Sequence, residues 1–382
     1  MPAAFDFDRP VDRRGTASQK WDKYAGRDII PMWVADMDFA APAPVLEALH
    51  ARIDHGVLGY THAPESLLET VLQTLAQQYD WRVQPEWIVW LPGLVTGINV
   101  ACRAVGREGD GVISAVPVYP PFLSAPGLAR RTLETVPLKP AGQSWHLDLD
   151  ALEACLTPQT RLLLLCSPHN PVGRVFRRRE LEALAALCAR HDVVICSDEI
   201  HCDLILAPGL RHVPTAAVGA EALQRCITLM APSKTFNIPG LGCSFAVIAD
   251  EGLRRRFRKA KAGIVPHVNL MGYAAAEAAY RYAWPWQEAL RDYLRGNRDL
   301  VFETVSRMAP LQTWLPEATY LAWIDARGLD HDDPAGFFEA AGVGLSDGGD
   351  FGAPGFLRLN FGCRRALLQE GLERMEQALA DR

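Results

Sequence analysis

No apolar run in this chain approaches the ~20 residues that span a bilayer; the run Leu162–Cys166 is only of strand length. The opening MPAAFDFDRP has no basic stretch followed by an apolar one, so it does not read as a signal peptide. Basic charge is not in excess. Lys and Arg number 39 against 45 Asp and Glu, for a net charge of −6. That excludes a general nucleic-acid binder, which needs a basic field to displace counterions from phosphate. The one dense basic run, Arg254–Lys261, reads as a solvated helix face with Phe257 and Ala260 turned inward. The nine cysteines are scattered without a C-x-x-C pair. This argues against a disulfide framework or a zinc site, and no metal is expected. A reducing cytoplasm is the expected location, with cysteines serving as small apolar fillers. Neither a P-loop nor a dinucleotide fingerprint occurs. Gly344–Gly348 matches a hydrolase elbow, but a glycine-rich stretch follows and the last histidine is His331. An elbow needs a following helix and a later histidine, so the segment reads as a flexible loop.

What is present is length and alternation. A chain of 382 residues, 49% apolar, is enough for about two domains. Trp87–Leu91, Arg161–Cys166, Val193–Ser197 and Cys226–Met230 read as buried strands. Leu67–Tyr79, Val95–Val105 and Glu180–His191 have helical period. Such alternation predicts an α/β fold with a mostly parallel mixed sheet covered by helices. From Trp284 the texture changes. A long helix (Trp286–Met308), a strand (Thr319–Ile324), a helix (Pro334–Ala341), a glycine-rich loop (Gly342–Gly355), a strand (Phe356–Asn360) and a closing helix (Ala366–Leu379) predict a smaller α+β domain. The expected division is a large domain over 45–284 and a small one from 1–44 with 285–382.

Ligands of such folds bind beyond the carboxyl ends of the strands. Four loops there carry chemistry: Pro92–Thr96, Ser167–Gly173, Asp198–His201 and Ala231–Asn237. Each alone has a plain explanation as a cap, a turn or a solvated charge. Together they match pyridoxal 5′-phosphate (PLP), which needs an amine, a carboxylate at its ring nitrogen and an anion site. Lys234 supplies the amine for a Schiff base. Asp198 keeps the ring nitrogen protonated. Asn170 and His201 bond the phenolic oxygen. The amides of Leu94 and Val95, opening a helix, receive the phosphate, joined by the hydroxyl of Ser233. Tyr119 stacks on the ring.

The Asn-Pro-x-Gly, Asp-Glu-Ile-His and Ser-Lys-Thr-Phe-Asn segments, in this order, resemble the fold-type I PLP enzymes of the class I/II aminotransferase superfamily. The resemblance covers nearly the whole chain. Asp12–Thr16, Lys20–Asp22, Trp33–Phe39, His55–Thr61, Ala318–Trp323 and Arg358–Cys363 narrow it to the carbon–sulfur lyase branch, with its cystathionine β-lyases and cysteine-S-conjugate β-lyases. By that resemblance Arg358 binds the substrate α-carboxylate, with Asn170 beside it. A guanidinium fork suits that task. Tyr60 reaches the phosphate of a neighbouring subunit, implying a homodimer with shared active sites. Where many aminotransferases have an arginine after Gly-Leu, this chain has Gly242, one positive charge fewer at the phosphate.

The expected activity is β-elimination from cystathionine or a cysteine S-conjugate, giving a thiol, pyruvate and ammonia, with Lys234, Asp198 and Tyr119 as catalytic groups. The substrate is a small amino acid, with neither nucleic acid nor membrane as partner. A PLP-dependent aminotransferase would share every one of these cofactor residues, and spacing does not separate the two. A regulatory protein acting through a protein partner is the reading of another class.

Overall fold

The computed structural model describes residues 5–382; what was expected of residues 1–4, in the chain opening and the small domain, lies outside the described residues. Seven strands form one sheet: β1 (Ile88–Leu91), β2 (Gly111–Val116), β3 (Thr132–Pro137), β4 (Thr160–Cys166), β5 (Val194–Asp198), β6 (Cys226–Met230) and β7 (Ser244–Val247). Their spatial order is β1-β7-β6-β5-β4-β2-β3. Strands β6, β5, β4, β2 and β3 run parallel, and β7 lies antiparallel between β1 and β6. Successive residues of the central strands enter opposite core layers, as a period of two requires of a sheet covered on both faces. Leu163, Leu165 and Ile195 join one layer. Leu162, Leu164 and Cys196 join the other. Helices Leu94–Ala104 and Glu251–Lys261 cover the second layer through Ile98, Ala101, Leu253 and Phe257.

A second, four-stranded antiparallel sheet holds β8 (Gln312–Thr313), β9 (Leu321–Asp325), β10 (Ser346–Asp347) and β11 (Phe356–Asn360), ordered β8-β9-β11-β10. The 22-residue helix Trp284–Val305 leads into it and Arg365–Ala380 closes the chain. The N-terminal segment packs here. Ile30–Pro31 pairs in parallel with Val343–Gly344, and Asp38 N donates to Gly362 O at 2.8 Å.

Two expectations are corrected. The glycine-rich stretch is not a flexible loop. Val343–Gly344 and Ser346–Asp347 are paired strands, and Gly348–Phe351 is a tight turn ending in a buried Phe351. Its glycines serve close packing, since a Cβ on Gly344 would lie within 2.6 Å of the Tyr24 ring. The basic run is not wholly solvated either. Arg254 is buried and donates to the carbonyls of Ile248 and Ala249, both at 2.8 Å, satisfying groups just beyond β7. Among the described residues, no helix is long and apolar enough to cross a membrane. No group of three or more His, Cys, Asp or Glu there is placed to hold a metal ion.

Candidate active site

The loops after β2, β4, β5 and β6 converge at one end of the large sheet. Asp198 ends β5 and pairs in register with Cys166 of β4 and Leu229 of β6. The loop after β4 brings Asn170 beside Tyr119, whose N–H donates to the Asn170 carbonyl at 3.2 Å. Arg358 rises from β11 of the small sheet to meet them, its NH1 donating to Asn170 Oδ1 at 3.2 Å. The site therefore forms where the two sheets face each other.

Asp198 is buried and accepts from the Ile200 amide at 3.1 Å. No cationic side chain lies within ion-pair distance of it among the described residues. Burial pushes its carboxyl up to about 7, with Glu199 adding to the rise. A protonated ring nitrogen is the partner that would relieve it. His201 is also buried, and burial, then Lys234 and Arg358, push its pKa down to about 3. It is thus a neutral ring, and its Nδ1 has no partner. Burial lowers Lys234 to about 8, Arg358 adding to the fall while Asp36 and Asp198 oppose it.

Arg358 is 4% exposed. Its NH2 donates to Trp33 O at 2.6 Å and to Ser346 Oγ at 3.3 Å, and its guanidinium lies 4.7 Å from the centre of the Phe351 ring. Its Nε has no partner. A buried, unpaired donor on a cation is where an incoming carboxylate would bind.

Leu94 and Val95 open helix Leu94–Ala104 after Gly93, leaving first-turn amides without intrahelical partners. Ser233 lies beside Lys234, partly exposed. Gly242 has φ +58°, and a Cβ there would meet Pro92 O at 3.0 Å. The loop that presents the helix end thus packs against this position, which explains why no arginine stands there. Tyr60 is fully exposed. The buried carboxylate, neutral histidine, amine and helix end together fit PLP in donor set and charge.

Residues beyond the sequence candidates also build the site. The strap Trp33–Phe39 crosses it, and its carbonyls are held by side chains of the site. Lys234 Nζ donates to Ala35 O, and Tyr320 OH donates to the same oxygen at 2.9 Å. Asn360 Nδ2 donates to Val34 O and Asp36 O at 2.6 and 2.8 Å. Asn237 Nδ2 donates to Met37 O and Phe39 O at 3.0 and 2.7 Å. Main-chain acceptors carry no signature in the residue alphabet, so spacing alone could not find them.

The sequence profile of the family "Aminotransferase class I and II" matches residues 27–375. Cystathionine beta-lyase PatB of Bacillus subtilis (strain 168) is 38% identical over 387 residues, covering 98% of this chain and 100% of that one. The crystal structure of OvoB superposes with a TM-score of 0.97 at 50% identity, covering 99% and 100%. Cystalysin from Treponema denticola, whose structure contains a pyridoxal 5′-phosphate cofactor, gives a TM-score of 0.95 at 34% identity, covering 99% and 100%. Sequence and fold agree over nearly the full length, and the chain belongs to the aminotransferase class I and II family.

Proposed function

We propose that the protein is a PLP-dependent carbon–sulfur β-lyase, cleaving the Cβ–S bond of cystathionine or a cysteine S-conjugate. A thiol (homocysteine from cystathionine), pyruvate and ammonia are released. The observation that carries the reading is the convergence of Lys234, Asp198 and Arg358, whose Nε has no partner, at one point between the sheets. Likeness to a protein named cystathionine beta-lyase supports elimination over amino-group transfer.

PLP, when bound, supplies an electron sink for negative charge at the substrate α-carbon. The protein does the rest. Arg358 and Asn170 grip the α-carboxylate and fix the amino acid's orientation. Asp198 would hold the ring nitrogen in its protonated form. Asn170 and His201 would hydrogen-bond the phenolic oxygen, and Tyr119 would stack on the ring. The amides of Leu94 and Val95 with the Ser233 hydroxyl would hold the phosphate. Lys234 Nζ takes the α-proton and then gives a proton to the departing sulfur. A pKa near 8 suits one group to both transfers. The released three-carbon fragment hydrolyses in water to pyruvate and ammonia.

The same proposal includes a homodimer in which Tyr60 reaches the partner's phosphate site. The exposed apolar run Ile53, Val57, Leu58 and Tyr60 supports it. It includes the division into 45–284 and 1–44 with 285–382. A cytoplasmic location is supported by nine cysteines that are all free thiols.

The test is pyruvate release by purified, PLP-loaded protein from L-cystathionine or an S-alkyl cysteine, with no keto acid present. Sustained multiple turnover is expected. Amino-group transfer on adding a keto acid, without prior pyruvate, would make it a transaminase instead.

A further inference from the structure

Three N-terminal segments have no part in the mechanism above, yet they meet in one charge cluster behind the strap. Arg13 NH2 pairs with Asp36 Oδ2 at 2.5 Å, and its NH1 pairs with Asp38 Oδ1 at 2.7 Å. Lys20, whose side chain is fully buried, pairs with Asp38 Oδ2 at 2.8 Å and donates to Asp36 O at 3.2 Å. Trp21 Nε1 donates to Asp38 Oδ1 at 2.8 Å. Burial would raise the Asp38 carboxyl, but Lys20, Trp21 and Arg13 hold it below the ordinary carboxylate range. Two cations and two carboxylates thus balance, and Arg13 and Lys20 grip the strap Trp33–Phe39 through its own Asp36 and Asp38.

The far side of that strap holds the two cations of the active site. Trp33 O accepts from Arg358, and Ala35 O accepts from Lys234. Asp36 is the next residue after Ala35. One of its oxygens is committed to Arg13, while Oδ1 is buried without a partner. The cluster therefore fixes where the Lys234 acceptor stands and leaves one uncompensated carboxylate oxygen close by. The other charged and titratable groups around Lys234 are Asp198, Arg358, His201, Tyr119 and Tyr320. Of these only Asp198 is also a carboxylic acid, and it is the same in every variant compared below.

We propose that Arg13 and Asp36 are positioning residues for the β-elimination. The strap they anchor places Lys234 Nζ, and the balance of their charges sets how tightly that amine holds its proton. The inference rests on Lys234 being the proton carrier proposed above. A bracing role and an electrostatic role differ in sign. Removing the Asp36 charge takes away a group that favours the Lys234 ammonium, so the amine should titrate lower. Removing the Arg13 charge leaves Asp36 unneutralised, so the amine should titrate higher. Loss of bracing alone would displace both variants in one direction or neither.

The experiment is the pH dependence of Lys234 acetylation by dilute acetic anhydride in the full chain stripped of cofactor, followed by mass spectrometry. For Asp36→Asn the midpoint should fall by about half a pH unit or more. For Arg13→Gln it should rise. For Arg13→Lys, which keeps the charge, it should stay with the unsubstituted protein. Displacement of Asp36→Asn and Arg13→Gln in the same direction, or of neither, overturns the proposal. Should Arg13→Gln not fold, Asp36→Asn decides alone, an unmoved midpoint overturning it. The pH profile of kcat for the PLP-loaded variants separates this inference from the functional reading. If the acetylation midpoints move as stated and the acid limb of kcat does not follow, Lys234 is not the proton carrier, while the control of its titration stands.

Discussion

Arg358 is a buried cation without a carboxylate partner among the described residues, and Asp198 is a buried carboxylate without a cation. Each is costly alone. Burial lowers the Arg358 guanidinium to about 10 and raises the Asp198 carboxyl to about 7, so both charged forms are disfavoured until a ligand arrives. For Asp198 the consequence can be read as stability. Its folded pKa stands above the ordinary value of 3.8. Below that ordinary value the group is protonated in both states and costs nothing. The penalty grows as pH rises toward about 7 and is complete above it. Cofactor-free Asp198→Asn should therefore unfold at a higher temperature than the cofactor-free parent at pH 8. The gain should amount to roughly a few kcal/mol and should nearly vanish at pH 4. An equal difference at both pH values in thermal unfolding would show that ionisation of Asp198 carries no penalty.

At the scale of elements, one residue in a left-handed conformation decides how the phosphate end is built. Gly242 lies two residues before β7, and its φ of +58° brings the Pro92 carbonyl to where a side chain would start. The first turn of helix Leu94–Ala104 therefore stands close to this loop, and in the proposed site helix amides, not a guanidinium, would hold the phosphate. Gly242→Arg would restore the charge seen in many aminotransferases, but into a strained backbone costing about 1–2 kcal/mol and against a carbonyl. The expected result is a lower melting temperature with no gain in cofactor affinity. Calorimetry and a PLP titration measure the two, and tighter binding would refute this account.

At the scale of the whole molecule, the run from Ile53 to Tyr60 leaves its apolar side chains in water. Val57 and Leu58 are each 63% exposed although neighbouring parts of the chain build a dense core. An apolar run of this kind fits the proposed association surface, and Tyr60 in the same run is fully exposed. Leu58→Asp should convert the proposed dimer to monomer in sedimentation velocity and make PLP easier to remove. A dimer of undiminished stability would place the interface elsewhere.

Much of the large sheet was legible in the residues. Cys226–Met230 there, and Phe356–Asn360 in the small sheet, have the bounds their β-rich texture predicts, and the expected helices begin and end within about three residues of their periodic stretches. Lys234 and Asn170 follow buried strands and Asp198 ends one, so their common position at one edge of the parallel sheet was legible as well. The pairing of Ser346–Asp347 with β11 was not, because a two-residue strand has no period and glycines signal freedom as readily as close packing. Nor was the strap, since its function lies in carbonyl oxygens common to every residue. The residue order alone pointed to PLP chemistry, through side chains that have few other uses in that combination. Only the tertiary structure decided that Arg13, Lys20, Asp36 and Asp38 form one neutral cluster behind Lys234, because charge pairing depends on distances of a few ångströms between segments the chain leaves apart.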